Sequence, residues 1–340
     1  RLNATATLSV VRLESISISS TPYPSVTDYT SNYGDFLTIK KLSCSDNWQR
    51  LQCYGSGSLN DGTTISSSSF YQNVDFVSSD TNIADFTTIC TGSYCRGLIV
   101  STIGSITITG SFEGLNASLE IEINNQRANV TSVSIIEDIG TSSTLVGIVG
   151  YEETVATTVS YDDGTNIVIA NSGYTASDWL TPSDILLYST SRNETLNITK
   201  QGIVSILANY YTTTSINVLD KCGSDSSDFI DVYTNLYPET YDVDMGETVG
   251  APFGTALVGD TIDMDIRILG SITYDITAFQ IIITFDSTLV QVESDDDCVQ
   301  GNDWSASWSC TTNDPLDEVL LVGSCGLSDT TSCVSTGLIS

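Results

Sequence analysis

The bond-forming side chains of this sequence are its nine cysteines, while histidine, the commonest catalytic side chain, does not occur at all. Several cysteines stand as close pairs: Cys44 with Cys53, Cys90 with Cys95, Cys298 with Cys310, and Cys325 with Cys333. Thiols so spaced read as short disulfide loops closed in an oxidising compartment, and no Cys-x-x-Cys step suggests zinc. Cys298 or Cys310 could instead bridge to Cys325 or Cys333. Cys222 is left over, and reads as unpaired or joined to another chain. Without histidine there is no Ser-His-Asp or Cys-His arrangement and little scope for a zinc centre. Chemistry by carboxylates alone needs two acids at a defined separation, one with a raised pKa. With 42 acidic residues against 11 basic, such pairs are too plentiful to single any out, and the chain reads as no enzyme.

Two acidic runs offer hard oxygen ligands of the kind calcium takes, Asp295-Asp296-Asp297 and Asp162-Asp163. Neither has EF-hand spacing, and the plain reading of both is a solvated turn. Glu137-Asp138 and Asp242-Val243-Asp244 are weaker candidates for calcium between domains. No other cofactor is indicated. Trp304 and Trp308, inside the expected Cys298–Cys310 loop, could meet a sugar or a neighbouring subunit, or could plug a core beneath the disulfide. Tyr23 and Tyr210-Tyr211 read as sheet-surface or interdomain contacts.

Five N-glycosylation acceptors begin at Asn3, Asn116, Asn129, Asn193 and Asn197. Beside the cysteine pairs they point to a secreted eukaryotic glycoprotein, extracellular or on a cell surface. A net charge of −31 makes nucleic acid and anionic membrane poor partners. No apolar run reaches the roughly 18–20 residues of a membrane span. No signal peptide is visible ahead of Arg1, so the chain reads as processed or cut from something longer.

The elements that must carry these residues alternate with period two. Leu119, Ile121 and Ile123 alternate with polar residues, as do Val155–Tyr161, Ile262–Ile268 and the strongly apolar Phe279–Phe285. No stretch carries a comparable helical period, so helices are expected to be short and few. A repeat is visible: Asp61-Gly62-Thr63-Thr64-Ile65 returns as Asp163-Gly164-Thr165-Asn166-Ile167. Phe76–Asp80 corresponds loosely to Trp179–Asp184, and Gly104–Ile108 to Gly202–Ile206, with closing strands at Leu119–Ile123 and Ile216–Leu219. Units of about 100 residues with about seven short strands fit β-sandwiches. The expected division is 1–11, the last strand of a preceding repeat; 12–127 and 128–222, two sandwiches; 223–239, a linker; and 240–340, a third sandwich not obviously complete by Ser340.

At Asp61–Ile65 with Gly104–Thr109, and at Asp163–Ile167 with Gly202–Ala208, the sequence resembles bacterial-type immunoglobulin-like (Big) domains. It departs from that pattern in Phe76, which stands at the expected tryptophan, and in long Ser/Thr-rich insertions. Val258–Ile266 with Phe279–Val292 resembles the opening of a cohesin-like sandwich. The combination is similar to mastigoneme-like proteins of flagellar hairs and to transmembrane 132-type ectodomains, over some two thirds of the chain. The resemblance implies an all-β array of tandem immunoglobulin-like sandwiches followed by a cohesin-like one, with no catalytic residues to carry over. It implies a structural subunit of an extracellular glycoprotein filament or hair. The partners would be copies of itself or sister filament proteins, with N-linked glycans on the surface. The alternative is a cell-surface adhesion module binding glycan or protein.

Overall fold

The computed structural model describes residues 10–23, 34–66, 70, 73–86, 97–136, 143–169, 180–210, 212–247, 256–270, 276–292, 294–295, 298–301, 304, 307–313, 317–324 and 338–339. Strands dominate them, and one short helix, α1 (Pro182–Ile185), interrupts the series. Residues 1–9, expected to be a leftover strand, lie outside this set, as do Cys90, Cys95, Cys325, Cys333 and Trp179.

The first sandwich contains β1 (Leu13–Tyr23), β2 (Thr38–Leu42), β3 (Arg50–Leu59), β4 (Thr64–Ile65), β5 (Asp75–Ser78), β6 (Ala84–Phe86), β7 (Gly97–Val100), β8 (Gly104–Phe112) and β9 (Leu115–Ala128). One sheet runs β1-β3-β7-β6, with β4 on the flank of β3, and the other runs β2-β9-β8-β5. This is the A-B-E-D over G-F-C order of an immunoglobulin sandwich, with β2 laid parallel to the last strand. Alternation creates the core. Ile106, Ile108, Ile121 and Ile123 point inward from β8 and β9 and meet Leu51, Ala84 and Leu98 of the opposite sheet.

The second sandwich repeats the plan with β10 (Val130–Ile135), β11 (Thr144–Gly147), β12 (Glu152–Thr154), β13 (Thr157–Tyr161), β14 (Asn166–Ile169), β15 (Leu186–Thr190), β16 (Leu196–Ile198), β17 (Ile203–Ile206), β18 (Thr214–Asp220) and β19 (Ser227–Leu236). The counterpart of β3 is split, β13 pairing with β10 and β14, β12 with β17. The opposite sheet runs β11-β19-β18-β15, with β11 parallel to β19. The Asp-Gly turns match bond for bond. Thr63 N donates to Asp61 Oδ1 at 2.9 Å, and Thr165 N to Asp163 Oδ1 at 3.1 Å. Gly62 and Gly164 sit at φ +85° and +81°, where a side chain would be strained.

Three expectations change. The supposed linker 223–239 contains β19, the last strand of the second sandwich, so Ile216–Leu219 belongs to the strand before it. Gly104 opens β8, the hairpin partner of β9, whereas Gly202 precedes β17, which lies between β12 and β16; the two are not equivalent positions. Gly259–Asp265, expected in a long strand, has no strand in it, and β21 is confined to Ile266–Leu269. Its alternating apolar residues do not make a strand because Ile262 and Met264 find no core to enter, and remain 52% and 36% exposed.

In the third unit β20 (Val243–Met245), β21 and β25 (Leu338–Ile339) form one sheet, and β22 (Ala278–Thr284), β23 (Ser307–Asn313) and β24 (Glu318–Ser324) the other, in the order β22-β24-β23. Ile268, Ile276 and Trp304 are its buried centre, with Phe279, Ile281 and Trp308 packed against them.

Candidate functional site at the junction of the first two sandwiches

The polar chemistry of this chain converges where the first sandwich meets the second. A single residue, Asn129, separates β9 from β10, so the strand that closes one sandwich opens the next. Ala128 and Leu42, from the ends of β9 and β2, are fully buried in the second sandwich's core beside Val130, Val133, Val159 and Tyr161. Burying a leucine in this way stabilises the junction by about 1.5–3 kcal/mol.

Around that apolar contact lies a ring of hydrogen bonds. Gln49, only 2% exposed, is held by the backbone of Lys40: its N–H donates to Lys40 O (2.9 Å), and Lys40 N–H donates to Gln49 Oε1 (3.0 Å). Its carboxamide then donates across the boundary to Asp163 Oδ2 (2.8 Å) and Thr165 Oγ1 (3.0 Å) in the repeat turn. The Lys40 ammonium stands 3.8 Å from the same Asp163 oxygen. Asn129 and Asp162 exchange three bonds, at 2.9–3.1 Å, and Ser43 bridges by accepting from Val130 N–H. Arg127 Nη1 donates to the carbonyls of Leu42 and Ser45, fixing the turn after β2.

Cys44 occupies that turn at φ +64° and is bridged to Cys222 in the β18–β19 turn, with Cα atoms 5.1 Å apart. This corrects both the expected Cys44–Cys53 loop and the unpaired Cys222. The reason is geometric. The left-handed turn aims Cys44 at the second sandwich, while Cys53 lies on β3 in the first sandwich's core with Leu51 and Leu98. Asp220 lies beside the bridge, but its carboxylate already accepts from the N–H groups of Cys222 (3.0 Å) and Ser224 (2.9 Å). The thiol–carboxylate group is a braced disulfide.

Tyr161 stands in the same core with its hydroxyl buried, and burial together with the Asp220 and Asp163 charges pushes its pKa well above the ordinary tyrosine value. Tyr188, chiefly through burial, is pushed up to about 12, although its hydrogen bond with Thr157 pulls the other way.

The remaining expected site residues fall elsewhere. Cys298 and Cys310 are bridged, with Cα atoms 6.2 Å apart. Asp296 and Asp297 lie outside the described residues. Asp295 accepts from Thr312 N–H (2.6 Å) and Oγ1 (2.7 Å), bonds that hold its carboxyl below the usual range. Asp242 caps Glu239 N–H, and Asp244, 7% exposed, is ion-paired with Arg267 at 3.0 Å, so this pair serves the fold. Glu137 and Asp138 are outside the described set. Trp304 is buried edge-on against Phe279, plugging a core as its plain reading had it, and Trp308 packs beside it. Tyr210 lies beneath the Arg192 guanidinium, 4.1 Å from its ring centre. Asn116, Asn129, Asn193 and Asn197 are all exposed; Asn3 is outside the described residues. Sequence reasoning missed Lys40, Gln49 and Asn129–Asp162 as a joint. Only the repeated Asp-Gly turn hinted at it.

No protein-family model matches the chain, and no curated protein does. Among solved structures, domains 1–6 of the surface layer protein SbsC are similar over 92% of this chain and 37% of that chain, at 10% identity and a TM-score of 0.24. SbsC domains 4 and 5 are similar over 66% of this chain and all of theirs, at 12% identity and 0.22. The titin tandem immunoglobulin domains A164-A165 are similar over 59% and 92%, at 9% and 0.20. This chain thus spans little more than a third of the longer surface-layer structure, and likeness at these scores decides nothing about function. No helix among the described residues is long and apolar enough to cross a membrane.

Proposed function

We propose that this chain is a structural, self-associating protein of an extracellular surface, a stiff subunit of a glycoprotein filament or hair of the mastigoneme-like kind. The observation that carries the reading is the sealed joint: shared core, buried glutamine, continuous strand and disulfide together make two sandwiches move as one. A rod needs stiff joints; an active site does not. The bridges suit an oxidising compartment, and exposed Asn116, Asn129, Asn193 and Asn197 suit attached glycans. Electron microscopy and sedimentation of the native glycoprotein test this. Elongated particles that associate into filaments are expected, and a monodisperse monomer at all concentrations would sink the proposal.

An adhesion module is the second reading, favoured by a cleft of about 420 Å³ between the second and third units. Its lining includes Ile148, Val149, Tyr237 and Val243, all exposed, beside Glu239 and Asp242. Saturable binding of a cell-surface glycan or protein, abolished by Tyr237→Ala, would favour it over the rod.

A further inference from the structure

The head of the second sandwich, which the first sandwich covers, is duplicated at the head of the first. The correspondence extends to individual bonds. Asp162 N–H donates to Asn129 O, and Asn60 N–H donates to Arg12 O. Asn129 N–H donates to Asp162 Oδ1 (3.1 Å), and Arg12 N–H to Asn60 Oδ1 (3.2 Å). The pairing Val130↔Tyr161, with a register shift before Ser132, repeats as Leu13↔Leu59 with a shift before Ser15. The flanking hairpin Val159↔Ile167 repeats as Gly57↔Ile65.

What differs is the cover. Thr165 is 2% exposed beneath Gln49, whereas Asp61, Gly62 and Thr63 are all exposed. Ala128 is fully buried, whereas Val11 at the same station is 44% exposed, and Val10 90%. In the apolar group under the first head Ile16, Phe70 and Val74 are buried, but Leu13, Ile65, Phe112 and Leu115, packed against them, are only partly so, and the group lacks the contributions that Leu42 and Ala128 make to the second.

We propose that the head of the first sandwich, built from residues 10–13 and 59–65, is a socket for the tail of another immunoglobulin-like sandwich, entering as one continuous strand through Val10–Arg12. The occupant's chemistry follows from the observed joint: a buried carboxamide and an ammonium group directed at Asp61 and Thr63, and an apolar side chain over Leu13 and Ile65. A detached second copy lacks a free tail of this kind, because the tail of its first sandwich is already closed on its second. The inference rests on the rod reading, but concerns joint geometry rather than filament formation.

The test adds a second copy of residues 12–128 directly ahead of Arg12 in the full chain, with Cys44→Ser in the added copy. The added Lys40 and Gln49 would then face Asp61 and Thr63. Hydrogen exchange at Arg12–Leu13 and Asn60–Thr63 is expected to slow at least about ten-fold relative to the native chain. Small-angle scattering should show a fixed spacing equal to that of the first two sandwiches. Gln49→Ala in the added copy alone should reverse the slowing. Unchanged exchange together with no fixed spacing overturns the proposal. So does protection that appears only with concentration, which would show docking between separate molecules. Filament formation by the native chain is scored separately, so failure of the joint and failure of the rod are distinguishable.

Discussion

Gln49 is a neutral side chain whose carboxamide N–H donors are both spent on the neighbouring sandwich, while its oxygen accepts from Lys40 of its own. Replacing it with alanine removes the carboxamide donor from a nearly buried carboxylate and a buried hydroxyl. Gln49→Ala is therefore expected to destabilise the joined pair by about 1.5–3 kcal/mol, read as a lower urea midpoint. A second outcome concerns Tyr188. Its pKa is raised in the folded state, so above the unfolded value near 10 the unfolded chain loses this proton first. The contribution is complete below pH 10 and lost as pH rises towards about 12. Tyr188→Phe should flatten the fall in urea midpoint measured between pH 9 and 11, part of which remains through Tyr161. At this scale the sequence disclosed the Asp-Gly turns, because their hydrogen bonds and positive φ are settled within five residues. It did not disclose Gln49, whose partners lie more than a hundred residues away.

Strands and turns decide which cysteines meet. The Cys44–Cys222 bridge closes a loop of 178 residues, so its loss should cost about 2–4 kcal/mol through the freed unfolded chain. Cys44→Ser with Cys222→Ser should lower the unfolding free energy obtained from urea titration by that amount. A further expectation concerns β3. A Cβ on Gly57 would come within 2.6 Å of Leu13 Cδ1 and 2.8 Å of Phe70 Cζ, so Gly57→Ala is expected to cost about 1–3 kcal/mol by overpacking. Alternation identified β9, β13 and β22, but β19 was hidden. Its inward Val232 and Thr234 alternate with Asp231 and Tyr233, but only that half of the strand is buried, and the run of Ser and Asp from Asp225 to Asp231 made the stretch read as polar linker. The third unit misled in the opposite direction, since Ile262 and Met264 carry strand periodicity without a core to receive it.

For the molecule as a whole, a charge of −31 opposes contact between copies over a distance set by salt. If the chain associates as proposed, raising salt from about 10 to 150 mM should shorten the screening length to roughly 8 Å and increase the sedimenting assembly. Invariance to salt would argue that charge plays no part in it. The all-β tandem plan was legible because it is written in repeated local patterns; the sharing of one core by two repeats was not, because it depends on side chains brought together from opposite ends of each. That sharing has a practical corollary for anyone who dissects the protein. A fragment beginning at Asn129 carries every strand of the second sandwich yet leaves behind Leu42, Ala128 and half of a disulfide. The natural unit of excision is the pair, and a lone second repeat should be recovered as an aggregation-prone species rather than as a smaller version of the same rod.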